Sequence, residues 1–323
     1  MSINHKFSAG ILLMFLILGC TAPYETAKVR ERLVVSTTTS LFDTGLLDDL
    51  EEKFEKKYDI DLYFISVGTG LALQHAKRGD ADVVIVHAPP EEFAFMREGG
   101  GVNRKIIAYN FFAIVGPEKD PAGIKGLSPI EAMKKIYETG NVGKALWISR
   151  GDKSGTNIKE IKLWSLAGFD PNKLKEKPWY LESGTGMGRT LLLANEKDAY
   201  TLADMGTYLK YYKDGTITLE PLVTRGKELL NVYSVIAVNP RIHPDINFYG
   251  ALVFEKFLIS NQTQEFIGKF GMESYGRPLF YPAVQLIKEG KDGELVEWIK
   301  DYAFFNNTEC PEKYRYNQSG LYG

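Results

Sequence analysis

SRGDKSGT, Ser149 to Thr156, sets one arginine among hydroxyl and glycine donors. The run before it, Ala145 to Ser149, is short, apolar and aromatic. The run after it, IKEIKLWSLAG, places Ile158, Ile161, Leu163, Trp164 and Leu166 at near-helical spacing. The pattern predicts a strand, a tight turn and a helix. A helix start exposes unpaired N–H groups at the positive end of its dipole, so it attracts anions. Gly155 lets the backbone approach a ligand closely, and Arg150 adds a permanent charge with forked donors. Taken alone, the stretch also fits a plain cap by Ser154 or Thr156 with an Arg150–Asp152 pair.

The arrangement recurs. STTTS (Ser36 to Ser40) follows the apolar LVV and precedes an amphipathic run, Leu46 to Tyr58. SVGTG (Ser66 to Gly70) follows DLYFI and precedes LALQHAKRG. ESGTGMG (Glu182 to Gly188) precedes RTLLLANE. Four donor-rich turns, each opening a helix, would surround one cation with neutral hydrogen-bond donors. That chemistry suits a small, fully deprotonated oxyanion.

Outward from these turns the chain alternates. Strands are expected at Leu33–Ser36, Asp61–Ser66, Val83–His87 and Ile106–Val115, with helices between them, which is a βαβ series over a parallel sheet. GPEKDPAGIKG, Gly116 to Gly126, is a Pro/Gly-rich break. A second alternating set follows it. NVYSVIAVN, Asn231 to Asn239, is then a continuous apolar strand that returns the chain to the first set. The expected fold is α/β, a two-lobed clamshell with mainly parallel sheets flanked by helices and two hinge crossings. Lobe 1 comprises 32–115 plus 235–285, lobe 2 comprises 116–234, and 286–323 is a C-terminal extension. Ligands of open α/β sheets sit at the C-terminal ends of strands, where all four turns fall.

The chain has 323 residues, 44% hydrophobic and 25% charged, with a formal net charge of −2. That is enough for two ordinary domains. The charge balance disfavours nucleic acid as a partner, so an anion must be attracted locally. At the N-terminus His5 and Lys6 precede the apolar Ile11–Leu18 and then ILGC. This run is too short to span a bilayer and has the form of a signal peptide over 1–19. Its end resembles a lipobox, making Cys20 a lipid anchor and 20–31 a tether, with the protein outside the cytoplasm. Cys310 is then left without a cysteine partner.

Enzyme signatures are absent: there is no GxxxxGK[ST], HExxH or GxSxG, and ESGTGMGRT does not complete GxGxxG. His5, His75, His87 and His243 are scattered, with no cation-site spacing, so neither a metal site nor a cofactor is expected. Two RGD tripeptides, at Arg78 and Arg150, read as chance. Sequons stand at Asn261, Asn306 and Asn317.

STTTSLFDTGLL, SVGTGLALQHAKRGDADVVIVHAP, SRGDKSGT, GTGMGRTLLLANEKDAYTLADMGTY, NVYSVIAVNP and YGRPLFYP together resemble the TupA-type tungstate-binding proteins of ABC importers, over about Leu33 to Pro282. The resemblance implies the type II periplasmic-binding fold. It implies a monomer that binds tungstate or molybdate and docks on ABC permease subunits. It places ligand contacts on Thr38, Thr39, Ser40, Ser66, Gly68, Thr69, Arg150, Ser154, Gly155 and Thr156, with Ser183 and Thr185 as further lining. The family usually has His where this chain has Asn157, and Arg where it has Met205. SRGDKSGT also resembles phosphate-binding proteins, which place an Asp at the end of the third strand to accept the phosphate proton. Here that position is His87, and the missing acceptor argues against phosphate.

Overall fold

In the computed structural model, residues 30–290 and 293–318 are described; the leader, Cys20 and most of the tether lie outside the described residues. The first run is β1 (Glu31–Thr38), α1 (Thr39–Phe42), α2 (Leu46–Glu55), β2 (Ile60–Val67), α3 (Thr69–Arg78), β3 (Val83–Val86), α4 (Pro89–Arg97) and β4 (Gly101–Gly116). The second is α5 (Pro129–Asn141), β5 (Trp147–Ser149), α6 (Gly155–Leu166), α7 (Pro171–Leu174), β6 (Tyr180–Glu182), α8 (Met187–Glu196), β7 (Thr201–Asp204), α9 (Met205–Lys213) and β8 (Glu220–Val223). The chain then continues through β9 (Leu230–Val238), α10 (Phe248–Ile259), α11 (Asn261–Lys269), α12 (Met272–Tyr275), β10 (Tyr281–Pro282), α13 (Val284–Glu289) and α14 (Gly293–Ala303).

β4 is the organising strand. From Gly101 to Phe111 it pairs with β9, with β10 on its other side, in a sheet ordered β10-β4-β9-β3-β1-β2. From Phe112 to Gly116 it pairs instead with β7 and β8. The parallel pairing expected of both sheets holds for β2-β1-β3 and for β5-β6. β9 runs antiparallel to β3 and β4. The chain leaves the first sheet on β4 and returns on β9, and a return along the same path reverses direction.

Strand alternation feeds cores on both faces of each sheet. In β4, Phe112 and Ile114 join a core around Trp147, Trp164 and Ile136, while Ala113 and Val115 join Met187, Leu191 and Tyr208. In β9, Val235 and Ala237 pack with Leu33, Phe54 and Phe254, while Ile236 and Val238 pack with Val84, Ala76 and Phe95. Each large side chain buried in this way contributes about 1.5–3 kcal/mol.

β4 begins five residues before the expected Ile106, because Asn103, Arg104 and Lys105 are fully buried within it. Arg104 Nε donates to Glu92 Oε2 at 2.8 Å and Nη1 to the Glu309 carbonyl at 2.9 Å, while Lys105 pairs with Glu255. Polar residues pass into a strand interior when each finds its partner. Several partners come from the C-terminal extension, which packs on the first sheet: Ile299 and Ala303 lie with Ile106 and Val232, and Asn103 bonds both backbone groups of Tyr316. Cys310 is a buried free thiol there.

α5 starts in a capping box, Ser128 Oγ accepting from Glu131 N and Glu131 Oε2 accepting from Ser128 N. Ser128→Ala is expected to cost about 1 kcal/mol, read as a lower midpoint in urea unfolding. Three helices expected to begin after the donor turns begin within them: α3 at Thr69, α6 at Gly155 and α8 at Met187. Hydroxyl and glycine residues supply the first-turn amides, which is why the apolar period appears two or three residues late.

Candidate functional site

Register brings the first two turns together. Thr38 ends β1 opposite Val67, which ends β2, and Thr37 lies opposite both Ser66 and Ile85. The Thr38–Thr39–Ser40 turn, the Gly68–Thr69 turn and His87, just past β3, therefore share one sheet edge. In the second sheet β5 ends at Ser149 opposite Glu182 of β6, so Arg150 and Ser183 leave adjacent strand ends. Gly184 N donates to Arg150 O at 2.9 Å.

α1, α3 and α8 each start without a side-chain cap. Their first amides are left for another acceptor. α6 is capped by Ser154 Oγ, which accepts from Asn157 N at 3.3 Å, and Ser154 O takes Ile158 N at 2.9 Å. Gly155 and Thr156 N–H remain as the open amides of that turn, and the Ser154 hydroxyl hydrogen is still available to donate.

Gly151 and Lys153 both have left-handed backbones, φ 63° and 58°. Only glycine suits Gly151, since a Cβ there would also lie 2.9 Å from Glu182 Cβ. This double turn folds Asp152 back. Its Oδ2 meets Arg150 Nη2 and its Oδ1 accepts from Ser154 N at 3.1 Å. Arg150 Nη1 reaches Thr156 Oγ1 at 3.4 Å, while the buried Nε has no partner in the protein. Thr69 Oγ1 and Thr185 Oγ1 are likewise buried and unpartnered. Buried polar atoms are almost always hydrogen-bonded, so these three leave bonding capacity open on three donor turns; among the described residues Arg104 Nη2 and Glu255 Oε1, away from the turns, are also unpartnered. Ser183 differs from its neighbours. Its hydroxyl is 2.8 Å from Thr190 Oγ1 and 3.4 Å from Arg150 O, which ties the turn to α8.

The two edges meet at His87. A Cβ on Gly155 would lie 2.7 Å from His87 Cε1. Thr207 Oγ1 donates to Ser40 O at 3.5 Å, and Lys210 Nζ donates to Asp43 O at 2.9 Å. His87 stacks on Tyr233 with ring centroids 4.9 Å apart, and its Nε2 is 3.4 Å from Ser40 Oγ. Burial pushes its pKa down to about 4; the hydrogen bond to Asn231 opposes this, and Arg150 and Lys159 add to it. Behind it lies a buried network that composition could not reveal. Asp204 Oδ2 accepts from Tyr233 Oη at 2.9 Å and Asn110 Nδ2 at 3.1 Å, and Oδ1 accepts from the Gly206 and Thr207 amides. The signals in the sequence were Asn110 and Asn231, lone amides in otherwise apolar runs. Burial raises the Asp43 carboxyl, with Lys210 and then Arg150 opposing.

The two departures from the family pattern have structural places. Asn157 is buried, with Oδ1 accepting from Lys153 N at 3.1 Å and Nδ2 donating to Ser149 Oγ at 3.3 Å, so it braces the loop. Met205 packs in the core beside Leu191 and Tyr208 and lines a cavity of about 280 Å³ with Asn110, Arg225 and Arg277. Among the described residues no three His, Cys, Asp or Glu side chains group as a cation site.

Gly155→Ala should push α6 off His87, whose stacked ring cannot swing away. We expect anion affinity to fall at least tenfold, about 1.4 kcal/mol, in a calorimetric titration. Unchanged affinity would exclude this contact from the bound state.

Residues 22–262 match the family model of the PBP superfamily domain. The chain is 41% identical over 284 residues to the tungstate-binding protein TupA of Peptoclostridium acidaminophilum, covering 85% of this chain and 96% of the relative. Among solved structures, the tungstate-binding protein TupA of Desulfovibrio alaskensis G20 is 41% identical with a TM-score of 0.67, covering 78% of this chain and 98% of that one. The tungstate ABC transporter structure from Geobacter sulfurreducens is 44% identical with a TM-score of 0.66, over 74% and 99% of the two chains. With these relatives and a site of converging donor turns, the chain belongs to the TupA family of the PBP superfamily.

Proposed function

We infer that the protein captures tungstate, and molybdate with it, and passes the oxyanion to the permease subunits of an ABC importer. The observation that carries this is the set of three buried, unpartnered atoms, Arg150 Nε, Thr69 Oγ1 and Thr185 Oγ1, on three turns beside uncapped helix starts. A tetrahedral dianion offers the acceptors that these atoms lack, and the donors gain strength in a site closed to water. Thr38, Thr39, Ser40, Ser66 and Gly68 contribute from one edge, and Ser154, Gly155, Thr156 and Ser183 from the other.

The two lobes close about the strand crossings near Phe111–Phe112 and ahead of Leu230, a few residues from the expected bounds of 115 and 235, since Phe112–Gly116 already pairs with β7 and β8 and Leu230–Ser234 already pairs with β4 or β3. The protein works as a monomer, lipid-anchored through Cys20 on the outer face of the cell membrane. It is a binding protein and performs no turnover.

The test is calorimetric titration with tungstate, molybdate, sulfate and phosphate after unfolding and refolding to strip carried ligand. Tight one-to-one binding of tungstate with weak phosphate and sulfate is expected. A folded sample giving no heat with any of the four would overturn the reading.

A further inference from the structure

His87 is the titratable group at the meeting of the two edges, and direct contact with an anion does not explain its surroundings. Its ring is 2% exposed, roofed by Gly155 and stacked on Tyr233, with Phe112 beyond at 6.3 Å. What reaches the site from His87 is its hydrogen bond with Ser40.

The direction of that bond can be worked out from the far end. Asp204 Oδ2 is surrounded by Tyr233 Oη, Asn110 Nδ2 and Asn231 Nδ2, the donors a carboxylate requires. Asn231 Nδ2 also donates to Asn110 Oδ1 at 2.9 Å. The amide nitrogen of Asn231 therefore faces Asp204, and its oxygen faces His87 Nδ1 at 2.8 Å and takes that hydrogen. A neutral imidazole so held carries its lone pair on Nε2, 3.4 Å from Ser40 Oγ. A bare imidazole nitrogen is a stronger acceptor than Thr38 Oγ1, which also lies 3.4 Å from Ser40 Oγ, so the Ser40 hydroxyl hydrogen points at His87 and Ser40 turns lone pairs toward the site. That is the wrong sign for an anion. A proton on Nε2 reverses it: Nε2–H donates to Ser40 Oγ, and the serine hydrogen turns outward.

We propose that His87 is a positioning residue acting through Ser40: its imidazole gains proton occupancy as the anion enters and so converts the Ser40 hydroxyl from acceptor to donor. The inference rests on an oxyanion occupying this site. The proton comes from solvent and is bound at Nε2, and no other bond changes.

The charged groups facing His87 fit this coupling. In the empty protein burial holds the imidazole neutral, and Arg150 from the β5–α6 turn and Lys159 from α6 reinforce it. On the β9 side stand Asn231 and Tyr233, with Asp204 reached through Asn231. A dianion beside Arg150 offsets the positive field and favours the imidazolium. By linkage, whatever the anion adds to proton affinity the proton adds to anion affinity.

The experiment is titration of the full chain with sodium tungstate at about pH 7 in two buffers of different ionisation heat, repeated between about pH 6.5 and 8.5, where His87 coupling would be read. Expected is uptake of a fraction of a proton per anion, with affinity rising about three- to tenfold per unit fall in pH. In His87→Gln binding should persist, weaker, with the proton uptake and the pH slope sharply reduced, any remainder coming from Lys159, which burial pushes down to about 7. Asp43→Asn, which removes the nearby half-buried carboxyl facing Arg150, should leave the uptake in place.

Tight tungstate binding without buffer dependence in the natural protein would overturn the proposal, as would uptake that survives undiminished in His87→Gln. Absence of any oxyanion heat would instead overturn the capture reading beneath it. Should His87→Gln fail to fold, nitrogen-15 spectra of the histidine-labelled natural protein decide. One imidazole passing from the neutral Nδ1–H form to imidazolium on adding tungstate supports the coupling, and no change with tungstate bound refutes it.

Discussion

Arg150→Ala is expected to lower tungstate affinity about a hundred- to several-thousand-fold, from a loss of about 3–5 kcal/mol for removing one member of a buried charge pair. Arg150 is 2% exposed, and its guanidinium is shared between Asp152, Thr156 and one unpartnered nitrogen. Without it, the Asp152 carboxylate loses its partner and repels a dianion in the same turn. Arg150→Lys should recover only part of the loss. An ammonium keeps the charge but lacks the fork that holds Asp152 with one arm while presenting Nε elsewhere. A loss below tenfold for Arg150→Ala in calorimetric titration would remove this residue from the site.

The second large effect falls on stability. Glu160, on α6, is fully buried and accepts from Trp147 Nε1 at 2.8 Å, Ser149 Oγ at 2.7 Å, Tyr180 Oη at 2.8 Å and Trp164 Nε1 at 3.3 Å, with Asn157 Nδ2 at 3.4 Å. One carboxyl thus ties β5, β6 and α6 together directly behind the Ser149–Thr156 turn. Burial raises the carboxyl, and its donors, Ser149 first, pull it back. Glu160→Ala leaves these donors buried without an acceptor, each costing about 1–3 kcal/mol where water cannot reach it. Partial relaxation should hold the total to about 3–5 kcal/mol. Denaturant unfolding measures it, and a loss under 1 kcal/mol would mean that water replaces the carboxylate. Glu160→Gln should be only a partial rescue, because its NH2 faces donors.

Most of the element order was legible because apolar period survives wherever one face is buried. The helix at Leu46 and the strands at Val83 and Asn231 follow that rule. It failed at Asn103–Lys105, where a strand is built from polar side chains whose partners, Glu92, Glu255, the Glu309 carbonyl and Tyr316, lie 12 to 213 positions away. It also failed for α13 and β10, which are too short to show a period.

By itself the sequence determined the four donor turns, the helix that each one opens, and the arginine in one of them, because these are local matters of spacing and side-chain chemistry. Only the tertiary structure decided which donors stay free. Ser183 is tied to Thr190 and Asn157 to the loop, while Thr69, Thr185 and Arg150 Nε keep unfilled bonds. It also set His87 between Ser40, Gly155 and Asn231, residues up to 144 positions away. The physical reason is that a hydrogen-bonding group has value only relative to what lies within about 3 Å of it once water is gone, and in this fold the neighbours that matter for His87 come from distant parts of the chain.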